Sequence, residues 1–85
     1  MDRNVYEILL ASNEDKIKEI LCISDHSYKT WFSNMEIAYL KDEEIGIQTK
    51  HCSEEVAAYL AVKYQERFEI AVENILGIRY RVKFL

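Results

Sequence analysis

The sequence predicts an α+β domain: a three-stranded sheet with helices packed on one face, in the order helix, helix, short helix, strand, strand, long helix, strand. Three observations predict it. Val56, Leu60, Tyr64, Phe68, Ala71 and Ile75 recur every three or four residues, which is one face of a long helix. Two alternating stretches, Met35 to Leu40 and Ile45 to Thr49, flank the charged turn Lys41-Asp42-Glu43-Glu44 and read as a hairpin. Ile78 to Leu85 alternates most cleanly, with Ile78, Tyr80, Val82 and Phe84 on one face and Arg79, Arg81 and Lys83 on the other. A sheet face carrying three cations is not one that helices cover, so the helices are expected on the opposite face alone.

The elements follow in order. Asp2 to Ala11 reads as a helix whose buried face is Val5, Ile8 and Leu9. Ser12-Asn13 interrupts it, and Ser12 followed by Asp15 resembles a capping box that opens a second helix. Ile17, Ile20 and Leu21 form that helix's apolar stripe, displaced from the first, so a break or bend is expected near Ser12-Asn13. The polar cluster Ser24-Asp25-His26-Ser27 marks a turn, and Ser27 is the expected cap of a short helix from Tyr28 to Ser33. That helix carries Trp31 and Phe32; Trp31 is the largest candidate core anchor. Ser53-Glu54-Glu55 opens the long helix with a hydroxyl cap and two acids in its first turn, and Gly77 closes it.

Composition narrows the function. With 85 residues the chain is expected to be a single domain, 1–85. Its 49% hydrophobic and 31% charged residues fit a folded chain rather than a disordered one, and two Gly and no Pro exclude low-complexity linkers. The N-terminus shows no secretory pattern and no apolar run has membrane-spanning length, so the expected location is cytoplasmic, away from membranes. Fifteen acids against eleven bases argue against strong sequence-independent binding of nucleic acid. The two glycines stand alone, which excludes a glycine-rich phosphate loop.

Cys22 and Cys52 are expected to be reduced thiols. Cys22, His26, His51 and Cys52 form the nearest set of zinc ligands, but the adjacent His51 and Cys52 point apart, so no metal or other cofactor is expected. Cys22 and His26 could share a helix face as a nucleophile and base, yet a lone pair at that spacing is a weak signal, and no catalysis is expected. The acid clusters are accounted for as helix caps and a solvated turn. The Arg79, Arg81 and Lys83 face is the most suggestive feature: a solvated sheet face, or a docking face for an acidic partner or single-stranded nucleic acid. Its aromatic neighbours Tyr80 and Phe84 fall on the buried side, which weakens the nucleic-acid version. Tyr59, Val62 and Ile70 lie off the long helix's stripe; with Val5, Tyr6 and Leu10 they could form a partner or dimer surface.

Three stretches, in this order, carry a family pattern. Ser27-Tyr28-Lys29-Thr30-Trp31-Phe32 precedes the hairpin, Cys52 to Tyr64 starts the long helix, and Ile75-Leu76-Gly77 leads into Ile78 to Phe84. Over roughly Asp15 to Leu85 the chain resembles the N-terminal domain (domain I) of the bacterial chromosomal replication initiator DnaA. Residues 13–85 would be the family-like core and 1–11 an extra N-terminal helix. The chain departs from that pattern in places: Ser33-Asn34 stands where the family has a Pro, Cys52-Ser53 replaces Pro-Asn, and Tyr59 replaces a Trp. Glu55 stands at the family's helicase-contact Phe and Ser27 at its helicase-contact acid.

The resemblance implies a KH-like, non-enzymatic domain of replication initiation. Its partners would be the replicative helicase or replication regulators, with self-association besides. It places the docking surface at Ser27, Tyr28, Glu55 and Tyr59. The alternative is a KH-like module that binds single-stranded nucleic acid through Arg79, Arg81 and Lys83, without the G-x-x-G clamp of true KH domains.

Overall fold

The computed structural model describes residues 3–49 and 53–85. Four helices, α1 (Arg3–Ser12), α2 (Glu14–Leu21), α3 (Asp25–Trp31) and α4 (Glu54–Leu76), and three strands, β1 (Glu36–Lys41), β2 (Glu44–Gln48) and β3 (Arg81–Phe84), follow one another in the expected order. The strands form one sheet in the order β1-β2-β3, with the helices on one face. β1 and β2 are antiparallel; β2 and β3 are parallel, joined across the sheet by α4.

α1 and α2 break where the displaced stripes require it, but the cap is different. Asn13, not Ser12, occupies the N-cap of α2, and its amide donates backwards to the Leu9 carbonyl at 2.7 Å. An Asn side chain competes for backbone groups in this way. The acids Glu14 and Asp15 still occupy the first turn of α2, the favourable end of its dipole.

The buried face of α1 also differs from the expected one. Tyr6 and Leu10 are buried, whereas Val5 is 41% and Ile8 65% exposed. α1 is apolar over more of its circumference than its neighbours can cover, so tertiary contacts choose the face. Tyr6 meets the Tyr80 ring edge-on at 6.2 Å, and Glu7 accepts the Ile37 N–H at 2.8 Å. Those two contacts turn Val5 and Ile8 outwards.

Ser24 caps α3, its hydroxyl accepting the Ser27 N–H at 3.2 Å. Ser27 is therefore inside the first turn and not the cap. Both serines had the cap chemistry; α2 ends at Cys22 in the left-handed region (φ 55), and the chain turns early enough for Ser24 to take the position. The consequence for chemistry is direct. Cys22 closes one helix and His26 belongs to the next, so they share no helix face.

α4 keeps its expected ends. Ser53 Oγ accepts the Val56 N–H at 3.2 Å, and Gly77 stops the helix with φ 76, where a side chain would be strained. Leu60, Tyr64, Phe68, Ala71 and Val72 are buried along it, with Val56 and Ile75 partly buried at its ends.

β3 is shorter than its alternation suggests. It pairs only with Glu44–Ile47 of β2, so Ile78 and Arg79 precede the ladder and are exposed. β3 lies at the sheet's edge. The Val82 N–H donates to Glu69 of α4 at 3.0 Å, which occupies one edge donor otherwise open to another strand.

Phe32 is the centre of the core. Its ring, 1% exposed, lies 5.5 Å from Tyr64, 5.5 Å from Phe68, 5.7 Å from Tyr28 and 6.1 Å from Phe84. Trp31, the expected anchor, is only half-buried. Adjacent helical residues point about 100° apart, so α3 can aim one of the two into the core and must leave the other at its margin.

Candidate protein docking surface

The half-buried Trp31 is the root of an exposed apolar patch. Its indole packs against the Tyr59 ring with centroids 5.4 Å apart, joining α3 to the first turns of α4. Tyr59 is 42% exposed and Val62, one turn on, is 91% exposed. Lys63 frames the patch, its ammonium donating to the Tyr59 hydroxyl at 3.1 Å and lying 5.4 Å from the ring centroid. That hydrogen bond holds the Lys63 ammonium above its usual pKa range. Glu55 is exposed one turn before Tyr59 on the same face of α4. An aromatic pair and a bare aliphatic side chain inside a charged frame is the composition that interface centres favour.

Of the four expected docking residues, Glu55 and Tyr59 thus share one helix face. Ser27 is half-buried, with its hydroxyl 3.1 Å from that of Ser24. It lies one turn before Trp31 on α3 and borders the patch through that residue. Tyr28 does not belong to it. Its ring is 4% exposed and packs on Phe32, because the core takes the face of α3 that carries residues 28 and 32. Trp31 and Lys63 were missing from the expected surface. Lys63 could have been found from its four-residue spacing to Tyr59.

Burial, with the Glu14 carboxylate nearby, pushes the Tyr28 hydroxyl up to about 12. The fold therefore favours the neutral phenol over the unfolded chain, where ionisation begins near 10. The resulting stabilisation is complete below pH 10 and lost as pH rises towards 12. Denaturant unfolding across that window should show falling stability, with a smaller fall in Tyr28→Phe. An equal fall in both proteins would place the alkaline sensitivity elsewhere.

The expected basic face is only partly assembled. Arg81 and Lys83 are exposed on β3, but Arg79 precedes the strand and its guanidinium reaches Glu73 of α4 at 3.6 Å. Ile45 and Ile47 of β2 face the helices, so their register neighbours Glu44 and Gly46 face the open side, paired with Arg81 and Lys83. Tyr39 of β1 pairs with Gly46 and lays its ring where a side chain on that residue would stand. Lys41 Nζ is 5.0 Å from the Tyr39 centroid. The Tyr39 hydroxyl donates to Glu44, which draws the carboxylate below its usual range; Arg81 and Lys83 act in the same direction. The open face thus holds an aromatic ring that Tyr80 and Phe84 could not provide. Plain alternation would put Tyr39 on the face of Ile37; the register shift between them, with Ile37 opposite Ile47 and Tyr39 opposite Gly46, turns the ring to the open side, and nothing in the sequence signalled it.

Cys22 is exposed, with its sulfur 3.2 Å from the Arg67 guanidinium. His51 and Cys52, the other half of the considered metal set, lie outside the described residues. Among the described residues no helix is long and apolar enough to cross a membrane. No protein-family model matches this chain, and no curated protein matches it either.

Proposed function

We propose that this chain is a protein–protein docking domain of bacterial replication initiation, acting in the cytoplasm without catalysis of its own. Its partner is the replicative helicase or a regulator of initiation, with self-association as a further use of the same kind of surface. The observation that carries the docking reading is the half-buried Trp31 ring against the exposed Tyr59, beside Val62, where α3 meets α4. Tyr and Trp side chains supply large contact area at low entropic cost, having few torsions to fix. The replication assignment rests on the motif order from Ser27 to Phe84 and is supported by an element order that agrees with it.

The test is an amide-shift titration of the labelled chain with the replicative helicase, repeated with single-stranded DNA. Docking predicts helicase-induced shifts at Trp31, Glu55, Tyr59 and Val62. Silence towards the helicase would remove it as the partner and leave a regulator of initiation in its place.

A single-stranded nucleic-acid module is the second reading, favoured by Tyr39 standing among Lys41, Arg81 and Lys83 on the open sheet face. It predicts DNA shifts at those residues that fade steeply with salt.

A further inference from the structure

An open groove of about 680 Å³ runs between α1 and the connection from α3 to β1. Behind it lie the core residues Leu10, Tyr28, Phe32, Ile37 and Ile47, each 4% exposed or less. The apolar surface that it opens is Ile8, 65% exposed, with Ala11 and the half-buried Met35. Its rim is acidic, with Glu7 from α1, Glu14 opening α2 and Glu36 opening β1. Among the described residues lining it there is no Lys or Arg. Of the nearby cations, Lys18 bridges Glu14 at 3.7 Å but also Asp15 at 3.4 Å and Asp25 at 3.0 Å, so it offsets only part of this charge, and Arg3 donates to the Ala38 carbonyl at 3.4 Å. The Glu7–Ile37 hydrogen bond ties α1 to β1 across thirty residues of sequence, which fixes the two sides of the groove relative to one another. Neither Trp31 nor Tyr59 lines it.

We propose that this groove is a second docking site, and that its occupant is a basic amphipathic segment of a partner protein. Apolar side chains of the segment lie against Ile8, Ala11 and Met35; its Lys or Arg side chains pair with Glu7, Glu14 and Glu36. The charge pattern selects this occupant. Three carboxylates on three separate elements frame the groove instead of converging on a point, which suits cations spaced along a chain better than one small cation. Helix-in-groove recognition has this form, with anchors every three or four residues and charges at the rim. The domain then presents two dissimilar surfaces, one aromatic at the α3–α4 seam and one acidic and apolar beside α1, and can bridge two partners.

The probe is a fluorescent amphipathic Lys/Leu peptide titrated into the full chain, with Glu/Leu and Lys/Ser peptides of the same length beside it. The expected result is saturable binding of Lys/Leu alone, with amide shifts at Leu10, Met35 and Ile37. Glu14→Lys with Glu36→Lys should weaken it by at least about tenfold, because like charges then face each other across the rim. Glu19→Lys with Asp42→Lys makes the same change in net charge away from the groove and should leave the affinity nearly unaltered. The proposal is overturned if both variant pairs weaken binding equally, if Lys/Ser binds as tightly as Lys/Leu, if the shifts gather at Trp31 and Tyr59, or if no peptide binds. Backbone shifts of each variant alone verify that it retains the fold.

Discussion

Phe32→Ala should cost about 3–5 kcal/mol, the usual range for removing a fully buried aromatic ring. The structure places it at the upper end. Four other rings lie within 6.1 Å of its centroid, and each ring pair is worth roughly 0.5–1.5 kcal/mol beyond the area it buries. They come from α3, α4 and β3, so no single element can relax into the space without leaving another. A domain of this size has a total stability of only about 4–13 kcal/mol at the usual value per residue. The variant should therefore lose a large share of its stability, read as a fall of a few molar in the urea midpoint. Trp31→Ala, at a half-buried margin, should cost less, about 1–2 kcal/mol. If Trp31→Ala proves the more damaging of the two, the core is not centred where the rings place it.

That contrast shows how far the sequence reached. The order of elements, the hairpin, the Ser53 cap and the Gly77 stop were all legible, because each depends on residues close together in the chain. The long stripe of α4 was legible because its other faces are polar enough to leave one choice. α1 was not, since Val5, Tyr6, Ile8, Leu9 and Leu10 offer two apolar faces. Tyr80 and Ile37, seventy-four and thirty residues away from their partners on α1, made the selection. The same holds for Trp31 and Phe32, neighbours with equal claims until α4 and β3 are in place. Ser24 and Ser27 have the same cap chemistry, and the left-handed turn at Cys22 decided between them. The alternation before Arg81 promised a longer strand, but a strand begins where its partner does. The candidate surface followed this pattern. Glu55 and Tyr59 were readable as one helix face. The groove beside α1 was not readable, because its rim is drawn from three elements.

If the proposed partner is the replicative helicase, Tyr59→Ala should weaken its binding by about 30-fold, the equivalent of a 2 kcal/mol hot spot, while leaving the fold intact. The argument rests on what the ring does in each state. In the free domain Tyr59 is 42% exposed, so truncating it forfeits only part of a buried side chain. In a complex the same ring would be closed between Trp31 and the partner, which is where an aromatic side chain contributes most. Val62→Asp sharpens the test. At 91% exposure Val62 contributes almost nothing to stability, so its replacement should fall within about 0.5 kcal/mol of the parent. Docked, the new carboxylate would be desolvated without a partner, and binding should fall at least as far as with Tyr59→Ala. Ile78→Ser is the matching control: 47% exposed, and beyond the far end of α4, about 25 Å of helix from Tyr59. A docking surface at the α3–α4 seam requires the first two substitutions to act and the third to be silent. Equal losses at all three would mean general apolar adhesion, and the Trp31–Tyr59 pair would then be no more than the outer margin of the core.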